Sequence, residues 1–386
     1  MTAKERFIKA LQREKPDRLP VTTHHVQPSF LKKYMNGMDE QAFFDRFGLD
    51  PILWLVPHKP DEHNGCYFDP TQTTRGFLEI PRICHDNWRI TTETLHHSKY
   101  ATQRFNFITP DKTLSMILQS DQNTTWVSER MVKEKSDIEL IAKYAPAPLC
   151  DVQAVNQQSA AFGQRGLVRG FIPPFDVYGQ SGCWQDAAVL YGIEPLIMDT
   201  FTDPEWVHAF LQILFERKKI FLQSMDGARF DILEHGGGDA SSTIISPQIF
   251  DRFVAPYDAE LTRIAQSMQQ RVVYHTCGGM MPLLEQIADL GVDAMETFTP
   301  PDMGGDADLK EAKKRIGHRV CMIGGFDQFH YFVGCSPEET RREVRRCFEE
   351  AGDNGAYILC PSDHFFAADT PLLDAFAEEA RACVYQ

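Results

Sequence analysis

The sequence predicts an α/β fold built as a closed (β/α)8 barrel, the TIM barrel, with an N-terminal helical extension and an antiparallel hairpin insertion. Three observations predict it. Eight short apolar runs have strand character, and helix-period segments separate the later ones. The runs are continuous rather than alternating, as in strands buried on both faces. Eight strands at this spacing, alternating with helices, favour a closed barrel over an open sheet.

The elements follow in order. MTAKERFIKALQREKPDRLPV opens the chain as an amphipathic helix leading into a Pro-flanked strand. The strand runs are 18–23, 51–56, 167–172, 230–235, 271–276, 292–298, 319–324 and 356–360. Residues 204–225, 247–268, 281–291 and 336–352 carry apolar side chains at helical spacing. The last of these opens with Ser336 and has Glu339 three residues on, a capping box, and closes near Gly352. Residues 88–128 break the pattern. They alternate with period two and are rich in Thr, which predicts an antiparallel hairpin inserted between the second and third barrel strands, with His96 and His97 on its surface. No solenoid repeat or low-complexity linker divides the chain, so residues 1–386 are expected to form a single domain.

Composition narrows the function. The 386 residues include 39 Lys plus Arg against 54 Asp plus Glu, a net charge of −15. Nucleic acid is excluded as a general partner, since phosphate binding needs clustered positive charge. No stretch approaches the run of about 18 apolar residues that a membrane span needs, and the N-terminus has no apolar signal segment. The ten cysteines show no CxxC and no framework spacing. Reduced thiols in the cytoplasm are expected, most of them small core residues.

In a barrel of this kind chemistry gathers at the C-terminal ends of the strands. There the chain reads Glu234-His235-Gly236-Gly237-Gly238-Asp239, His275-Thr276-Cys277-Gly278-Gly279, Glu296-Thr297, Gly324-Gly325-Phe326-Asp327 and Cys360-Pro361-Ser362-Asp363-His364. His275 and Cys277 stand at i and i+2 of an extended segment and point to one side. With Cys360 they offer three ligands, and Glu296 or Glu234 a fourth. Thiolate and imidazole donors favour zinc over magnesium or calcium. Against this, HxC alone is a weak signal, because buried cysteine and hydrogen-bonded histidine are common. Glu234 and Asp327 are the catalytic candidates. His235, Asp239, Phe326, Asp363 and His364 are the substrate-binding candidates, although Asp327 could equally cap the next turn and His364 could simply pack on the rim.

Three segments carry a resemblance. KERFIKALQREKPDRLPV resembles the start of the uroporphyrinogen decarboxylase superfamily, and IISPQIFDRFVAPYDAEL (244–261) and METFTPPDMGGDADLKEAKKRIGHRVCMIGGFDQ (295–328) are similar to later segments of it. The resemblance implies a (β/α)8 barrel and one of two chemistries. True decarboxylases need no metal and hold a polycarboxylate through an arginine-rich N-terminal segment. Here that segment is VTTHHVQPSFLKKY, without arginine, and carboxylates are poorly held without arginine forks. The other branch comprises zinc-dependent methyltransferases that work with corrinoid proteins and carry HxC and a later Cys. His275, Cys277 and Cys360 resemble that pattern, and Glu296 would complete it. By alignment Asp363 falls on the last ligand position, so Cys360, Asp363 or His364 is the third ligand. The resemblance therefore implies zinc, and a corrinoid (cobalamin) brought by a partner protein. The methyl donor would be a small methylated compound, an ether or similar. A homodimer is compatible with it. The alternatives are a metal-free decarboxylase or lyase and a non-catalytic binding barrel.

Overall fold

The computed structural model describes every residue except Phe77, His97, Ser98, Asp176 and Gln386. The expectation for His97 therefore lies outside the described residues. The strands that matter are β1 (Ile52–Trp54), β2 (Arg89–Leu95), β3 (Ala101–Ile108), β4 (Thr113–Ser120), β5 (Thr125–Glu129) and β6 (Leu167–Phe171). They are followed by β7 (Ile232–Gly236), β8 (Val272–His275), β9 (Ala294–Thr297), β10 (Cys321–Gly324) and β11 (Tyr357–Ile358).

Seven of these make one parallel sheet, in the order β1-β6-β7-β8-β9-β10-β11. Helices such as Pro204–Gln223, Ala255–Ser267, Leu309–Ile316 and Pro337–Ala351 connect them. The expected first strand, 18–23, is not a strand. Only a single parallel bridge joins Val21 to Leu359. Its hydrogen bonds nevertheless reach both sheet edges. Thr22 N–H donates to Leu359 O at 3.0 Å and Asp50 N–H to Val21 O at 2.7 Å. Asp50 anchors this segment. Its carboxylate accepts from Val21 N–H at 3.0 Å, from Arg6 at 2.6 Å and from Arg18 at 3.0 Å. Pro20 removes one backbone donor, which helps to keep the segment from laddering.

Alternation along the strands decides the site. In parallel pairing, register partners place their side chains on the same face. Trp54 pairs with Arg169, and His275 with Glu296. Arg169, Glu234, His275 and Glu296 point inward, while Val168, Tyr274 and Met295 pack outward. One hydrophobic core holds the outward side chains against the helices.

Between β1 and β6 the chain forms a four-stranded antiparallel meander, β2-β3-β4-β5, where a hairpin was expected. Its period-two pattern buries Phe105, Phe107, Leu114 and Met116 on one face. The helix expected over 247–268 is interrupted by a π-helical turn at Phe250–Val254. Pro256 follows it and cannot donate to the carbonyl one turn back, a cause of such breaks. The helix Pro337–Ala351 begins with the capping box of Ser336 and Glu339. No helix among the described residues is long and apolar enough to cross a membrane.

Candidate functional site

A cavity of about 1370 Å³ opens over the C-terminal ends of β6, β7 and β8. Strand-end residues form its floor, among them Glu234, His275, Cys277 and Asp363. Thr102, Phe105 and Leu118 of the meander form a wall. Tyr178 ties the loop after β6 to the meander, its hydroxyl donating to Thr125 O at 2.6 Å.

At the floor His275 Nε2 lies 3.1 Å from Cys277 Sγ, and that sulfur lies 3.4 Å from Asp363 Oδ2. Glycine makes this placement possible. Gly236 has φ +96, and a Cβ there would stand 2.5 Å from His275 O. Asp363 is also bound to His364 Nδ1 at 2.8 Å. Burial opposes its ionisation, but His364, with His275 and His24, outweighs this and holds its carboxyl below the usual range. Burial pushes the Cys277 thiol up, a shift that His275 offsets only in part.

Below this lies a buried charge network that the sequence reading did not foresee. The Arg169 guanidinium donates to Glu296 Oε2 at 2.8 Å and to Glu234 Oε2 at 2.7 Å, and it also contacts Glu296 Oε1. It lies 4.5 Å over the Trp54 ring. Glu296 Oε1 in turn receives His275 Nδ1 at 2.8 Å. Burial works against a charged Glu296, but Arg169, His24 and His275 outweigh it and hold this carboxyl well below its ordinary value. For His275 burial lowers the pKa, yet Cys277, Glu234 and Glu296 raise it well above the ordinary value. Two carboxylates thus face the Arg169 guanidinium and the His275 ring, so the buried negative charge is paired within the network.

Of the residues singled out from sequence, His275, Cys277, Glu296, Glu234, Asp363 and His364 converge here. Cys360 is buried just beyond β11. Burial and then the nearby Glu296 carboxylate raise its thiol well above the ordinary value. Asp239 lines the cavity and accepts from Gln185 Nε2 at 2.8 Å.

Three residues expected to face substrate or reaction do not. His235 is fully buried on the outer side of β7, with Nε2 3.1 Å from Asp258, because Glu234 takes the inward direction. Phe326 is enclosed by Phe332 and Phe376. Asp327 caps the short helix after it, accepting from the N–H groups of Phe329 and His330.

Arg169 and His24 are the residues the reading missed. A charged side chain within the apolar run LVRGFI was the available signal, since lone buried charges are rare. His24 follows the Val21 bridge. Its ring centroid lies 5.0 Å from that of His275, and its nitrogens lie 3.7 Å from Glu234 and from Glu296. His24, Glu234, His275 and Glu296 form a group that could hold a metal ion.

The donor set also fits zinc on the sulfur side. Zinc bond lengths and tetrahedral angles place neighbouring N and S donors about 3.5 Å apart. The His275–Cys277–Asp363 spacings of 3.1 and 3.4 Å are close to this. A thiol that burial keeps protonated is what a bound metal converts to thiolate.

Comparison with known proteins adds three findings. A family model described as uroporphyrinogen decarboxylase (URO-D) matches residues 176–379. A methylated-thiol–coenzyme M methyltransferase of Methanosarcina mazei is 27% identical over 169 residues, 43% of this chain and 43% of that protein. A uroporphyrinogen decarboxylase of Shewanella loihica is 26% identical over 161 residues, 41% of this chain and 43% of its own length. These matches thus span less than half of either relative. A solved structure, a methyltransferase from Methanosarcina mazei, covers 98% of both chains with TM-score 0.60 at 16% identity, a likeness of fold.

Proposed function

The chain belongs to the uroporphyrinogen decarboxylase family, and on that footing we propose that it is a zinc-dependent methyltransferase moving a methyl group from a small methylated compound to a corrinoid protein. The observation that carries the reading is the contact of His275 Nε2 with Cys277 Sγ at 3.1 Å, on the floor of a large cavity, with Asp363 beside the sulfur. A methylated-thiol methyltransferase among the relatives supports it.

In this reading His275 and Cys277 hold the metal, with Asp363 or Cys360 as the third ligand. When bound, zinc supplies a Lewis acid for the leaving heteroatom, or holds a thiol as thiolate. The protein does the rest by placement. Glu296 orients the His275 ring through Nδ1, as second partners of metal-bound imidazoles do. Glu234 and Asp239 present carboxylates to the cavity, where they would accept hydrogen bonds from hydroxyl or N–H groups carried elsewhere on the methyl donor. His364 holds Asp363. The meander excludes water from one side, and the open mouth admits a corrinoid carried by a partner protein. We read the Val21 bridge as the eighth stave that closes the barrel, and the cytoplasm as the site of action.

The metal-free decarboxylase reading fares worse. No arginine is among the described residues that line the cavity, and Arg169 is committed to Glu234 and Glu296. The deciding experiment is metal analysis of the full chain purified without chelator, followed by methyl transfer to free cob(I)alamin. About one zinc per chain, lost in Cys277→Ala together with transfer, is the expected result. A wild-type protein that takes up no zinc even on reconstitution overturns the proposal.

A further inference from the structure

One group of four metal-type donors among the described residues does not include the thiol. Donor atoms of His24, Glu234, His275 and Glu296 all lie within 4.8 Å of one another. Two imidazoles and two carboxylates would suit a hard or borderline dication. Yet a permanent cation already serves the same carboxylates. Arg169 binds both at 2.7–2.8 Å, is 1% exposed, and cannot lose its proton. A dication among these four donors would stand against that guanidinium in a buried site, where repulsion is weakly screened.

The Glu296 carboxylate is also used twice. One edge receives Arg169, and Oε1 receives His275 Nδ1 at 2.8 Å. With Nδ1 turned to Glu296, Nε2 is the ring nitrogen that faces Cys277.

We propose that Arg169 is the positioning residue that decides where a metal sits: it closes the four-donor group of His24, Glu234, His275 and Glu296 to cations, and through Glu296 it turns His275 Nε2 toward Cys277. The second half rests on the zinc reading above; the closing of the group does not. His24 is then a packing neighbour of the site and not a ligand.

The test uses the full chain and Mn2+, a cation that prefers such nitrogen and oxygen donors to thiolates. Binding is followed by electron paramagnetic resonance in wild type, Arg169→Met and Arg169→Met/His24→Ala, with circular dichroism to check folding. The expected result is no specific Mn2+ binding in wild type. Arg169→Met should gain a specific Mn2+ site that wild type lacks, and adding His24→Ala should remove that gain. A folded Arg169→Met protein with no gain overturns the proposal. So does wild-type Mn2+ binding that depends on His24. If Arg169→Met does not fold, the zinc content of His24→Ala decides: unchanged zinc supports the proposal and lost zinc overturns it. A wild-type protein without zinc sinks the methyltransferase reading alone, and the Mn2+ comparison still judges Arg169.

Discussion

His275 and Glu296 are register partners on neighbouring parallel strands, and Nδ1 of the one lies 2.8 Å from Oε1 of the other. Strand register thus fixes the imidazole face that the site presents. Glu296→Gln should keep the fold yet lower zinc affinity about ten- to a hundredfold, the usual cost of altering the partner of a ligand histidine. Competition with a chromophoric chelator measures it, and an unchanged affinity would remove Glu296 from the site's working parts.

A second prediction concerns the loop that walls the cavity. Lys218 and Asp186 are both buried and 2.6 Å apart, and Asp186 also accepts from Phe175 N–H in that loop. Lys218→Met leaves a carboxylate without its cation and should cost about 3–5 kcal/mol in urea unfolding. Lys218→Met/Asp186→Asn should recover much of that loss. A single variant as stable as wild type contradicts this account.

Glu40 gives a pH dependence. Burial pushes its carboxyl up to about 7, although it accepts from Val26 N–H near the segment that carries His24. A carboxyl raised on folding binds protons more tightly in the native state. Its stabilising contribution is therefore full below pH ~4.5 and is lost as pH rises through about 7. Glu40→Gln should be more stable than wild type at pH 8 by about 1–3 kcal/mol, and the gap should close below pH ~5. Thermal melts at both pH values measure it, and a gap that does not change with pH removes Glu40 as the cause.

Gly236→Ala adds a methyl 2.5 Å from His275 O at a backbone φ of +96. The change should cost about 1–3 kcal/mol and displace His275. Chemical denaturation and zinc titration read the two effects, and a variant normal in both would show that β7 yields without disturbing its neighbour.

Much of this was legible before the structure. The apolar runs at 51–56, 167–172, 271–276, 292–298, 319–324 and 356–360 each contain a strand of the parallel sheet, and 230–235 holds all of one but its last residue, Gly236. The i, i+2 rule brought His275 and Cys277 to one point. Other features depend on pairings that local pattern does not carry. RLPVTT reads as a strand, yet its bonds reach across to Leu359 and Asp50 as a bridge. EHGGGD offered Glu234 and His235 as equals, and only the inward direction of Glu234 separates them. Asp327 looked chemical because it ends a strand, but its carboxylate satisfies the next helix turn. Arg169 was visible as a charge in an apolar run, but its partners lie on two other strands.

The Val21–Leu359 bridge joins segments near opposite ends of the polypeptide. His24 follows one side of that seam and Asp363 the other, so the pocket floor joins two segments far apart in sequence. Neighbouring strand and helix units can pair through short loops before that seam closes. The floor cannot, because Asp363 and His364 reach His24 and His275 only across it. Its assembly therefore waits on the longest loop closure in the sheet, and the pocket is a late-forming part of the fold.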